Sequence, residues 1–446
     1  MDVETRVLEK VLPDSEERKR SKEKFRDIKE FIKEKHELEA RLMGSLAKDT
    51  FLKGDKDLDI FVFFPDSTDR EELEEKGLEV GKSVFEEFNG DYEVEYAEHP
   101  YTKGEIGDFE VEIIPAYLVD GPEEMRSSVD RTPMHTRWVN KNLSEKEKKE
   151  TVLLKAFLKG QGLYGSSLKV MGFAGYLCEI LIAEYGSFRE LVESTEDWEE
   201  KKVIDVEDHH NGELPEKLQK KFREDSLIVI DPTDPERNVA SVLSRENYCK
   251  FLFRAWKYIE DRSTEFFFPE PVEPDREEIT EEINSRGDMY EVVFEKPDLT
   301  EDILYPQLRK LLKRLQDKLE RNEFQLFDSG FYVGEKEVRI VLDLQLSELP
   351  DKRKHRGPKI FHNKENVEDF TSKYSNTWVS GTRLTTIVER EHKKAEDLLE
   401  DFLSGDMGEK GVPRNLIKKI EEREIREVRL EGDGEWLKFL KKFLNL

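Results

Sequence analysis

The residues best able to do chemistry lie early in the chain: Met43-Gly44-Ser45, then eleven residues, then Asp57-Leu58-Asp59-Ile60. In an extended strand residues i and i+2 project from the same face, so Asp57 and Asp59 aim together while Leu58 and Ile60 pack behind. Two converging carboxylates supply the hard oxygens that Mg²⁺ takes alongside substrate phosphates. A pair of such ions activates an attacking hydroxyl and neutralises a leaving pyrophosphate. Gly44 lets a backbone amide come close to a triphosphate, and Ser45 adds a hydroxyl. Each part alone is commonplace, since alternating aspartates often mark only a solvated strand face. The combination is far more specific.

These residues need a frame. Phe25, Ile28, Phe31 and Ile32 form an apolar stripe among charges, which predicts an amphipathic helix over 16–42 leading into Met43. LDIFVFF at 58–64 reads as a strand stopped by Pro65, followed by a helix over about 69–89 and strands at 91–97 and 108–117. From Ser144 to about Tyr258 the spacing turns helical, as in KKETVLLKAFLKGQG and GYLCEILIAEYG. An acidic stretch at 194–224 interrupts it, and His209-His210 within it reads as a solvated loop because no partner ligands stand at fixed spacing. FFFPEPVEPD at 266–275 has the prolines of a domain junction. Beyond it, strand-like runs at 289–295 and 338–346 alternate with a basic helix at 306–321. The expected domains are 1–142, catalytic; 143–264, helical and central; and 265–446, a mixed α/β C-terminal region.

The Gly-Ser and Asp-x-Asp arrangement resembles the signature of the polymerase-beta-like nucleotidyltransferase superfamily. That resemblance implies a third carboxylate on a neighbouring strand, and DFEVEIIPAY offers Glu110 and Glu112 on one face, with Val111 and Ile113 on the other. Periodicity does not choose between the two. AEHPYTKGEIGDFEVEIIPAY, SSVDRTPMHT, LLKAFLKGQGLYG, KVMGFAGYLCEILI, IVIDPTDPERNVAS, LYPQL and KHRGP together are similar to archaeal-type CCA-adding enzymes, from residue 44 to beyond 350. This closer resemblance implies an α+β multidomain protein: a polymerase-beta-like catalytic domain, a helical central domain and a C-terminal RNA-binding region. It implies that Glu112 is the third metal ligand, where the family usually has Asp. It further implies that Gly44, Ser45 and Lys48 meet the triphosphate, that His135, Lys155 and Tyr164 make further nucleotide contacts, and that Arg237 helps to read the incoming base. The implied activity is addition of C, C and A to the 3′ end of tRNA from CTP and ATP, with two Mg²⁺ ions and Mn²⁺ as a substitute. Alternatives within the same chemistry are a poly(A)- or oligoadenylate-type polymerase; from another class, a catalytically silent tRNA-binding paralogue, against which the intact Asp57 and Asp59 argue.

Composition bounds these readings. A chain of 446 residues with 36% hydrophobic content is expected to form about three domains. A net charge of −28 argues by itself against a nucleic-acid partner, but 74 Lys and Arg residues leave enough cations to cluster on one face. The candidates for holding a tRNA acceptor stem are Arg309, Lys310, Lys313, Arg314 and Lys318 on one helix, and Lys352, Arg353, Lys354, Arg356 and Lys359 around HRGP. A-form grooves hide base sequence, so such an enzyme reads shape and backbone. No apolar run approaches the roughly 20 residues of a membrane span, and the charged start MDVETRVLEK lacks a secretory apolar run, so a cytoplasmic protein is expected. Cys178 and Cys249, far apart and without zinc spacing, read as buried thiols. The oligomeric state is left open.

Overall fold

A computed structural model describes the chain except residues 1, 97, 120–124, 127, 128 and 362. Two compact units divide between Glu270 and Pro271, inside the proline-rich segment. The first begins with a mixed five-stranded sheet: β1 (Glu39–Leu42), β2 (Asp57–Phe64), β3 (Asp91–Tyr96), β4 (Pro100–Ile106) and β5 (Phe109–Tyr117), in the order β1-β2-β5-β4-β3. β2 and β5 run parallel at its centre and every other pair is antiparallel. From Ile60 onward β2 is buried on both faces, as suits a central strand of aromatic and β-branched residues. Only its first residues alternate, with Leu58 buried and Asp57 exposed. Leu58, Ile60, Val62, Val111 and Ile113 pack on one side with Ile28 and Ile32 of the helix Ser15–His36 and with Leu73, Val80 and Val84 of the helix Arg70–Glu87. The carboxylates therefore sit on the face those helices leave uncovered.

The expected helix over 16–42 ends six residues early. Glu37 turns left-handed at φ 57° and its N–H caps Lys33, after which residues 39–42 pair with β2 as β1. β4 was not expected because Pro100 and Gly104 weaken the strand signal of PYTKGEI; pairing on both sides holds it, and Gly104 permits an approach in which a Cβ would lie 1.9 Å from the Asp91 carbonyl.

The central region is built on the helices Glu145–Gly160, Gly175–Tyr185 and Arg245–Glu260, whose core residues include Leu154, Phe157, Leu181 and Phe251. Val3, Val7 and Val11 of the first helix join this core. It also carries a small sheet that helical periodicity did not predict, β6 (Lys202–Ile204), β7 (Leu227–Asp231) and β8 (Asp234–Asn238). His209 and His210 lie in an exposed loop, as expected, and their Nε2 atoms also lie 3.1 and 2.8 Å from the carbonyls of Pro232 and Pro235. The reading of both cysteines as buried is corrected. Cys178 is buried and Cys249 is exposed, because the core-facing stripe of its helix runs through Tyr248, Phe251, Leu252, Ala255 and Tyr258 and leaves position 249 outside.

In the second unit β9 (Asp288–Glu295), β10 (Leu326–Val333), β11 (Glu337–Leu344) and β15 (Glu424–Glu427) form an antiparallel sheet in the order β10-β11-β9-β15. The helix Glu301–Arg321 covers one face through Leu304, Leu308, Leu311, Leu315 and Leu319. Ile279, Trp436 and Leu440 cover the other through Met289 and Val341. β12 (Lys352–Lys359), β13 (Thr377–Ser380) and β14 (Arg383–Glu389) make a separate three-stranded sheet in the order β12-β14-β13.

Candidate active site

Parallel pairing of β2 and β5 sets Asp57 beside Glu110 and Asp59 beside Glu112. All four acidic residues thus share one sheet face, and Glu112 is the neighbour of the deeper aspartate. Burial, then Glu112 and Asp57, push the pKa of Asp59 up to about 7. Asp57 is also raised, by desolvation first and then by Asp55 and Glu110. Negative charge is gathered here beyond what nearby lysines balance.

One partial counterion comes from β4. Lys103, opposite Glu112 in the β4–β5 register, places Nζ 2.5 Å from Glu110 and 2.9 Å from Glu112. Among the described residues no group of three or more Asp, Glu, His or Cys side chains is already arranged to hold a metal ion. The donor chemistry nevertheless suits a hard cation, since Asp57, Asp59 and Glu112 offer only carboxylate oxygens on a face of excess negative charge.

Gly44 is required by the same carboxylate. Its φ is +64°, and a Cβ there would lie 1.7 Å from Asp59 Oδ2. Met43 N–H donates to the Asp59 carbonyl at 2.8 Å, so Gly44 and Ser45 are tied to the strand that carries the aspartates. Ser45 and Lys48 lie on the short helix Gly44–Lys48.

The other candidate residues gather around two buried carboxylates. Lys48 Nζ lies 2.6 Å from Glu179 Oε2, and Lys155 Nζ lies 3.5 Å from Glu179 Oε1, 2.9 Å from the Thr50 carbonyl and 3.1 Å from its hydroxyl. Thr50 donates in turn to Glu179 Oε1 at 2.6 Å. Tyr164 flanks this group across Gly175, where a Cβ would meet its hydroxyl at 3.2 Å and Lys155 Nζ at 3.5 Å. The second carboxylate is Asp231, fully buried. His135 Nε2 lies 3.0 Å and Arg237 Nη1 2.8 Å from its Oδ2, and Tyr176 donates to Oδ1 at 3.3 Å. Burial opposes charge on Asp231, but His135 and its Thr233 hydrogen bonds hold the carboxyl well below the usual range; burial also lowers His135. Arg237 is thus ion-paired with the buried Asp231. Tyr176 joins the two groups, with the His135 ring stacked at 3.8 Å and Lys48 5.6 Å from its centroid.

Glu179, Thr50, Tyr176 and Lys103 were missed in the sequence. Glu179 had a signal: it is the lone charge in LCEILI, and a carboxylate inside an apolar helical run requires buried partners.

Three known domain families match most of the chain: the nucleotidyltransferase domain over 25–135, the second domain of tRNA nucleotidyltransferase over 149–268, and the C-terminal domain of CCA-adding enzyme over 286–426. The CCA-adding enzyme of Methanothermobacter thermautotrophicus is 36% identical over 450 residues, covering 98% of this chain and 97% of the relative. That of Thermococcus gammatolerans is 39% identical, covering 86% and 85%. The chain belongs to the CCA-adding enzyme family. Its carboxylate face lies within the nucleotidyltransferase domain match, and Lys155, Tyr164, Glu179 and Asp231 lie within the match to the second domain of these enzymes. Among the described residues no helix is long and apolar enough to cross a membrane.

Proposed function

We propose that this chain adds C, C and A, without a nucleic-acid template, to the 3′ end of tRNA from CTP and ATP, releasing pyrophosphate. The observation that carries the proposal is similarity to CCA-adding enzymes along nearly the whole chain, together with a nucleotidyltransferase carboxylate face. Asp57, Asp59 and Glu112 would hold Mg²⁺, two ions in this reading, which neutralise phosphate charge and lower the pKa of the attacking 3′-hydroxyl. Gly44 and Ser45 receive the triphosphate beside Asp59. Lys48, backed by Lys155, offsets its charge. Tyr164 and His135 border the nucleotide, and Arg237, held by Asp231, presents a planar set of donors to the base. The basic residues of the helix Glu301–Arg321 and of β12 hold the tRNA backbone, which suits a substrate recognised by shape.

The test is incubation with a tRNA lacking its CCA end, with Mg²⁺ and with CTP alone, ATP alone or both. Stepwise addition ending in CCA, with CTP consumed before ATP, is the expected result. A homopolymer tail from ATP alone, or no extension, overturns the proposal.

A further inference from the structure

We propose that Glu179 is the positioning residue that aims Lys48 at the triphosphate of the incoming nucleotide. The inference rests on the proposed function, because it takes a nucleoside triphosphate to be the ligand of this site.

Two ammonium groups and one carboxylate are packed here with almost no water. Side-chain exposure is 8% for Lys48, 2% for Lys155 and zero for Glu179. Like charges would drive the lysines apart, and the carboxylate, with one oxygen toward each, holds them together. Burial raises the pKa of Glu179, yet the two lysines outweigh it and keep the carboxyl below its usual range; burial lowers that of Lys155 and Glu179 opposes it.

The lysines are not equivalent. An ammonium has three N–H donors, and those of Lys155 have three acceptors: the Thr50 carbonyl, the Thr50 hydroxyl and Glu179 Oε1. Lys48 has one acceptor among the described residues, Glu179 Oε2, and is the more exposed of the two. Two lysines against one carboxylate leave a net positive charge, and the geometry leaves the unspent donors on Lys48. Lys155 and Thr50 are then the back wall: they fix Glu179, Glu179 fixes Lys48, and Lys48 turns its remaining donors to phosphate. The arrangement also spans the sequence, since Lys48 and Thr50 come from the β1–β2 connection and Lys155 and Glu179 from two helices of the central region.

The experiment is a double-mutant cycle read by equilibrium binding of CTP and of CMP to the full chain with Mg²⁺ present. Glu179→Gln is expected to weaken CTP by about tenfold, the loss of one charge-assisted hydrogen bond, while CMP binding holds. In a Lys48→Met background the same change is expected to leave CTP binding where Lys48→Met alone puts it. Glu179→Gln strands two buried lysines and could unfold the chain, so Glu179→Asp is measured beside it. It keeps the charge on a stem shorter by one methylene, and a folded Glu179→Asp protein with a reduced CTP-to-CMP affinity ratio supports the proposal. Unchanged CTP affinity in the folded variants, or an equal loss in the presence and absence of Lys48, overturns it. Wild-type protein that fails to bind CTP would instead overturn the functional reading on which it rests.

Discussion

The two charged regions of the first unit handle charge in opposite ways. On the sheet face, Asp57, Asp59 and Glu112 accumulate negative charge against one partly exposed lysine, and the pKa of Asp59 rises to about 7. In the central region, Glu179 and Asp231 are completely buried yet held below the usual carboxylate range, Glu179 by Lys48 and Lys155 and Asp231 by His135 and the Thr233 hydrogen bonds. Identical chemical groups thus do different work: the unbalanced set is suited to take up a cation from solution, and the balanced sets are suited to hold side chains in place.

Removing a carboxylate from the unbalanced face is expected to have the largest effect. Asp57→Asn or Asp59→Asn should lower the rate of CMP addition by more than about tenfold, equivalent to more than ~1.4 kcal/mol of transition-state stabilisation. tRNA affinity, measured in parallel, should hold, because the proposed RNA contacts lie on residues of the other unit. Loss of tRNA binding together with the rate would assign the aspartates to folding instead.

A balanced set should respond in selectivity. Arg237→Ala removes a donor near the proposed base position and is expected to cost about 1–3 kcal/mol of discrimination, read as increased incorporation from UTP and GTP relative to CTP. If preference is unchanged while thermal stability falls, Arg237 serves only its ion pair with Asp231.

The smallest effect is expected at Lys103. Its ion pairs are partly exposed, with side chains 30% and 23% accessible for Lys103 and Glu112, so removing it frees little energy. Lys103→Met should lower the Mg²⁺ concentration for half-maximal rate by roughly two- to fivefold, since Glu112 then has one cation fewer to exchange. A shift toward higher Mg²⁺ would mean that Lys103 supports the metal site.

The same contrast explains what the sequence made legible. Asp57 and Asp59 were readable because strand periodicity alone puts them on one face, and Gly44 because close approach demands glycine. Glu110 and Glu112 share a periodicity, so the choice between them needed a resemblance and the register of β5 on β2, which no local pattern encodes. Glu179 and the His135 contact of Asp231 were harder still. The Glu179 partners Lys48 and Thr50 stand 131 and 129 residues away, and His135 stands 96 from Asp231. Helix 16–42 was overdrawn for a related reason: β1 is a strand only because β2 is there to pair with it.

The most direct test of the carboxylate face compares Glu112→Ala with Glu110→Ala in single-turnover CMP addition to a tRNA lacking its CCA end. Glu112 neighbours Asp59 and lies deeper than Glu110, whose side chain is 47% exposed. Glu112→Ala is expected to be nearly inactive and Glu110→Ala to keep most of the wild-type rate. An inactive Glu110→Ala beside an active Glu112→Ala would contradict that expectation and would redraw the carboxylate set around Asp57 and Glu110.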